Sequence, residues 1–152
     1  MAEQYSSYAR ELRAGRPVIA QTVGDSMQPL LYQGRTQVVL LPLSGPLKSG
    51  DLPLYQRPNG QYVLHRVVQV KDGVYYTRGD NRYGKERVEP DWMLGVVSEI
   101  VRGGKTVRVT DPAYRCYVAF WLATYPVRYA VHQPGRTLWH VKRALHLNGG
   151  RS

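Results

Sequence analysis

Hydrophobic and polar positions change period twice along this chain. From Ala2 to Ala14, Tyr5, Tyr8, Ala9 and Leu12 recur at three- and four-residue spacing, which predicts a short amphipathic helix ended by Gly15. From Pro17 the pattern becomes short extended segments rich in β-branched residues, separated by turn residues. The predicted strands are Val18–Val23, Thr36–Leu41, Leu52–Gln56, Gln61–Lys71, Val74–Arg78, Trp92–Val101 and Lys105–Val109, the last two joined by Gly103-Gly104. Pro53 marks its segment as an edge strand or a bulge. Gln61–Lys71 is the longest candidate. Asp111-Pro112 then begins a helix, with Asp as N-cap and Pro at the first helical position. The apolar stretch Ala113–Thr124 follows, Pro126 interrupts it, and Gln133-Pro134-Gly135 separates it from the basic segment Arg136–Leu147. The expected fold is mainly β, with a helix at residues 1–15, a β domain at 16–110 and a helical, basic and aromatic extension at 111–152.

The hairpin signal Asp72-Gly73 supplies a register. If those two residues form the turn, Lys71 faces Val74 and opposed positions sum to 145, which puts His65 opposite Asp80. Directly opposed side chains have Cβ atoms about 5 Å apart, close enough for imidazole and carboxylate to touch. His65 alternates with Val63 and Val67 and is expected on their face, partly withdrawn from water.

A second candidate lies upstream, in Gly24-Asp25-Ser26-Met27-Gln28-Pro29-Leu30-Leu31. Gly24 lacks a Cβ and permits close backbone approach, and Pro29 biases Gln28 away from helix, so Ser26 is read as a nucleophile presented at a strand end. A serine hydroxyl needs a base within hydrogen-bond reach, and His65 is the candidate. An ordinary turn and a satisfied strand histidine are the competing readings.

Four boxes now stand in order: Gly24-Asp25-Ser26-Met27-Gln28-Pro29; Gly50-Asp51 before an extended segment; Val63-Leu64-His65-Arg66-Val67-Val68; and Thr77-Arg78-Gly79-Asp80-Asn81. Together they resemble the sequence boxes of type I signal peptidases, a clan that also includes the self-cleaving LexA-like repressors. His65 stands where the common bacterial members have lysine, which resembles the Ser-His branch of archaeal-type and endoplasmic-reticulum enzymes. The resemblance implies a signal-peptidase/LexA-like β core, a serine endopeptidase activity, Ser26 as nucleophile and His65 as general base, with no metal or other cofactor. It implies backbone oxyanion donors, chiefly the Ser26 N–H, with Gly24, Asp25 and Met27 around them. It also implies a preference for small residues one and three positions before the cut. In that branch an acid follows the aspartate of the last box by six positions, which here is Glu86. The strand register points to Asp80 and the resemblance to Glu86; both remain open.

Composition narrows the setting. The chain has 152 residues, about one domain, and a net charge of +10. Such a charge suits an acidic peptide, an anionic membrane surface or nucleic acid. The single cysteine, Cys116, excludes an intrachain disulfide, is compatible with a reducing compartment, and is expected to pack as a small hydrophobe. His132, His140 and His146 have no metal-ligand spacing. No apolar run is long enough to span a bilayer, so the resemblance points to a dedicated maturation protease acting on a precursor or leader peptide, cytoplasmic or peripheral at the cytoplasmic membrane. Trp121, Tyr125, Tyr129 and Trp139 interleave with Arg115, Arg128, Arg136, Lys142 and Arg143, a pattern suited to an interfacial anchor. A non-catalytic peptide-binding scaffold and a basic nucleic-acid-binding β module are the rival functions.

Overall fold

The computed structural model describes residues 2–132. The expected Arg136–Leu147 segment, with His140, His146 and Trp139, lies outside the described residues.

The first helix, α1 (Ala2–Arg13), follows its sequence pattern: Ala9 and Leu12 are buried in the core, with Tyr5 and Tyr8 packed beside them. It ends with a pair of bonds, Gly15 N–H to the Leu12 carbonyl and Arg16 N–H to the Glu11 carbonyl, that satisfy its last turn.

Among the described residues nine strands follow: β1 (Val18–Gln21), β2 (Thr36–Pro42), β3 (Pro53–Gln56), β4 (Tyr62–Leu64), β5 (Arg66–Lys71), β6 (Val74–Arg78), β7 (Glu86–Val88), β8 (Met93–Arg102) and β9 (Lys105–Arg108). They build two antiparallel sheets. The larger has the order β1-β2-β8-β3-β4, with β9 pairing the far half of β8; the smaller is β5-β6-β7. Two apolar clusters fill the fold. Val38, Leu40, Leu54, Val97 and Ile100 of the larger sheet pack with Ala9 and Leu12 of α1 in the first. In the second, Tyr55 and Val63 of the larger sheet meet Val67, Tyr75 and Val88 of the smaller. The fold is mainly β with helices before and after, as the periodicity predicts.

Three expectations are corrected. Gln61–Lys71 is not one strand: it breaks at His65, where the chain leaves the larger sheet as β4 and enters the smaller as β5. The longest strand is β8. The register of the Asp72-Gly73 hairpin holds from Lys71↔Val74 to Gln69↔Tyr76, then a bulge shifts it, so that Val67 pairs with Thr77 and Arg66 with Arg78. Of the two alternatives for the Pro53 segment, the edge strand is corrected, because β3 pairs with both β4 and β8, and the bulge holds, between Leu54 and Tyr55; Pro53 itself opens the strand where only β8 faces it.

The last described elements are α2 (Pro112–Ala123) and α3 (Tyr125–His132). Asp111 has the extended N-cap backbone, but its carboxylate accepts the Arg108 N–H at 2.9 Å rather than capping the helix. Tyr114 buries itself against the β core. Tyr125 and Arg128 reach the segment after β6, through Tyr125 Oη to the Tyr83 carbonyl (2.7 Å) and Arg128 Nη1 to the Asp80 carbonyl (3.4 Å). Cys116 is exposed, against expectation, because it sits on the face of α2 turned away from the core. Among the described residues no helix is long and apolar enough to cross a membrane, and no cluster of His, Cys, Asp and Glu is arranged to hold a metal ion.

Candidate active site

The serine loop is held from below and from the side. Below, Met27 and Leu31 are 4% and 2% exposed, so the loop cannot lift without uncovering apolar core. They line a small apolar pocket of about 40 Å³ together with Ser26, Ala20, Leu54 and Leu64. Gly24 turns the chain with φ of +82°, a conformation that disfavours side chains, and nothing approaches its missing Cβ. Its role is therefore the turn rather than the expected close approach.

The close approach is made by another glycine. A Cβ on Gly79 would lie 2.6 Å from the Ser26 carbonyl oxygen and 3.1 Å from Ser26 Cβ, so only glycine fits there. From the same segment Asn81 N–H donates to the Ser26 carbonyl (2.8 Å), Asn81 Nδ2 to the Asp25 carbonyl (3.3 Å), and Arg82 Nη2 to Asp25 Oδ1 (2.6 Å). Asp25 is thus a surface clasp, its carboxyl held below the ordinary range first by the Arg82 hydrogen bond. Among the described residues neither the Ser26 N–H nor the Met27 N–H has a protein acceptor, which leaves two backbone donors free beside the hydroxyl.

His65 occupies the corner between the sheets. The shifted register ends at the Arg66↔Arg78 pair, so His65 lies outside the ladder and Asp80 is not its opposed partner. Leu64, next to His65, lines the Ser26 pocket. Among the described residues no hydrogen bond joins Ser26 to His65, so the expected dyad contact is not formed; catalytic hydrogen bonds often close only around substrate.

The two candidate acids have separate fates. Asp80 does not orient His65. It forms a two-pronged pair with Arg66, Nε to Oδ1 at 2.8 Å and Nη2 to Oδ2 at 2.6 Å, with side chains 0% and 2% exposed. Arg66 Nη1 goes on to the Gly50 carbonyl (3.0 Å) and to Tyr114 Oη (3.3 Å). The physical reason is the buried Arg66 guanidinium, which takes both carboxylate oxygens.

Glu86 opens β7, where it pairs with Thr77. Its carboxylate accepts Arg57 Nε (2.5 Å), Arg57 Nη2 (2.6 Å) and the Tyr55 hydroxyl (2.8 Å). Partial burial pushes the Glu86 carboxyl up, but the Arg57 and Tyr55 hydrogen bonds outweigh it and hold the group below its ordinary range. The Tyr55 oxygen lies 3.5 Å from His65 Nδ1 and 3.0 Å from Thr77 Oγ1. Glu86 therefore meets the histidine through a tyrosine. Burial lowers the His65 imidazole to about 4, with Glu86 pulling it up and Arg57 and Arg82 pushing it down. At neutral pH the ring is uncharged and free to accept a proton.

Tyr55, Arg57 and Thr77 were not visible as site residues in the sequence. Tyr55 and Arg57 share one face of an extended segment by period-two spacing, which is the one local signal that a basic and a phenolic group act together. No protein-family model matches the chain, and no curated protein matches it. The likeness to signal peptidases rests on the four ordered boxes.

Proposed function

We propose that this protein is a serine endopeptidase that cleaves a precursor or leader peptide, with Ser26 as nucleophile and His65 as general base. The observation that carries the reading is how close the serine loop and the histidine corner come: Leu64, beside the uncharged, half-buried His65, lines one pocket with Ser26, and Gly79, next to the end of the strand that pairs with β5, packs on Ser26. His65 takes the Ser26 proton as the hydroxyl attacks the scissile carbonyl. The free Ser26 and Met27 amides stand ready for the oxyanion, and the same base then activates the water that releases the acyl group. The 40 Å³ pocket beneath Ser26 suits a small side chain before the cut, in keeping with the resemblance. A mixed peptide library analysed by mass spectrometry tests this. Cleavage after small residues, abolished by Ser26→Ala, is expected. Peptides that bind without being cut would mark a binding scaffold instead.

A further observation favours a place of work. Phe120, Val127 and Val131 are 65%, 65% and 67% exposed. Helical bonds from Thr124 N–H to the Phe120 carbonyl and from Arg128 N–H to the Thr124 carbonyl run through the α2–α3 junction, so seven- and four-residue spacing puts all three on one side. From residue 112 onward the sequence has Arg115, Arg128, Arg136, Lys142, Arg143 and Arg151 and no acidic residue. We infer that this side seats on an anionic membrane surface, each nearby basic residue adding about 1 kcal/mol. Flotation with anionic but not neutral vesicles is expected. Equal loss of both, with salt-sensitive binding to nucleic acid, would point to the other polyanion.

A further inference from the structure

Tyr55 is fully buried, and its hydroxyl has three polar neighbours where a packing tyrosine needs one. Counting protons fixes what each contact can be. The Glu86 carboxylate is ionised and only accepts, so the single phenolic proton points to Oε2 at 2.8 Å. Burial raises the phenol far above neutrality, so that proton stays in place. The Tyr55 oxygen is then left with lone pairs alone for its other neighbours. Thr77 donates to it at 3.0 Å, and His65 can touch it at 3.5 Å only by carrying hydrogen on Nδ1.

We propose that Tyr55 is a positioning residue that holds neutral His65 in the Nδ1–H tautomer and relays the negative charge of Glu86 to the imidazole. Its catalytic consequence rests on the peptidase reading; the tautomer does not. With hydrogen on Nδ1, the lone pair is on Nε2, the nitrogen that must receive the Ser26 proton. When that proton arrives, the ring becomes an imidazolium, Nδ1–H tightens on the tyrosine oxygen, and the phenolic proton remains with Tyr55 against Glu86. No proton travels along the relay. Thr77 and Arg57 complete it, the first by filling the remaining lone pair of Tyr55 and the second by anchoring both carboxylate oxygens. A carboxylate reaching through a phenol keeps the imidazole oriented without a direct ion pair. The ring is thereby held at Nδ1 although it carries no charge at neutral pH.

The test is nitrogen NMR of His65 in the intact ¹⁵N-labelled protein, assigned against His65→Gln, alongside labelling of Ser26 by a fluorophosphonate probe. In the wild type at neutral pH, Nδ1 is expected at a protonated and Nε2 at an unprotonated shift. Tyr55→Phe keeps the ring and removes the acceptor, so the tautomer population should move toward Nε2–H, and the labelling rate should fall about a hundredfold, the low end of what a correctly placed general base contributes. Glu86→Gln, which keeps an amide oxygen as acceptor for the Tyr55 hydroxyl, should shift the His65 titration to lower pH because the charge that favours imidazolium is gone. An Nε2–H tautomer in the wild type, or a population unmoved by Tyr55→Phe, overturns the relay whatever the labelling shows. The expected tautomers with no labelling of the wild type would leave the relay standing and overturn the peptidase reading.

Discussion

Two arginine–carboxylate pairs lie near His65, built from the same chemistry and placed to opposite ends. Arg66 and Asp80 are withdrawn from water altogether, with every charged atom engaged. Arg57 and Glu86 keep 29% and 25% of their side chains exposed, and Glu86 spends part of its accepting capacity on Tyr55. The first pair ties β5, the Gly50 turn and α2 to the segment that clasps the serine loop. The second leaves a negative charge one phenol away from the imidazole. A fully desolvated pair is a poor tuner of a neighbour because any change in it threatens the fold. A half-solvated pair can bias a proton without that penalty.

The strongest break in this comparison is Asp80→Ala. It strands the Arg66 charge in the interior and should destabilise the protein by about 3–5 kcal/mol, read as a lower denaturation midpoint. Glu86→Gln should cost about 1 kcal/mol or less by the same measurement, since its ion pair is partly solvated.

Gly79→Ala comes next. A Cβ 2.6 Å from the Ser26 carbonyl oxygen forces the clasp apart, with about 1–3 kcal/mol lost and Ser26 reactivity reduced more than stability alone explains. Parallel melting and probe-labelling curves separate the two effects.

A smaller effect sharpens the contrast through pH. His65 has a folded pKa of about 4 against an ordinary 6.5. Above 6.5 both folded and unfolded chains leave it neutral, and it contributes no pH dependence. As pH falls from 6.5 toward 4 the unfolded chain takes up a proton that the folded one refuses, so stability declines; below 4 this contribution levels off. His65→Gln should flatten the slope of stability with pH in that window. The smallest change is expected from Arg82→Ala, whose exposed pair with Asp25 should leave the melting temperature nearly unchanged.

The sequence made the mainly β fold and its flanking helices legible, because period and turn chemistry are local. It also marked the Asp72-Gly73 turn. It did not reveal the shift in register between Val67 and Gln69, since Val67-Val68 carries the same β-branched signature on either side of the slip. With the register slipped, Asp80 is not opposite His65 and pairs with Arg66 instead. The split of Gln61–Lys71 was hidden because Val63-Leu64 and Val67-Val68 carry the same apolar signature on both sides of the corner, while the alternation of burial breaks there, with Arg66 and Val67 both buried. Tyr55 and Arg57 escaped notice because they meet Glu86 across 31 and 29 residues of sequence, contacts that only the assembled β3–β7 geometry creates. The spacing taken from the signal-peptidase resemblance pointed to Glu86, but the tyrosine that stands between Glu86 and His65 could not be read from it.

The central claim is that Ser26 is activated by His65, and the pH dependence of Ser26 modification by a fluorophosphonate tests it most directly. The account predicts an adduct at Ser26, formed at a rate that rises with pH around 4 to a plateau and falls by about two orders of magnitude or more in His65→Gln. An adduct absent from Ser26, or formed equally fast without the imidazole, would contradict it.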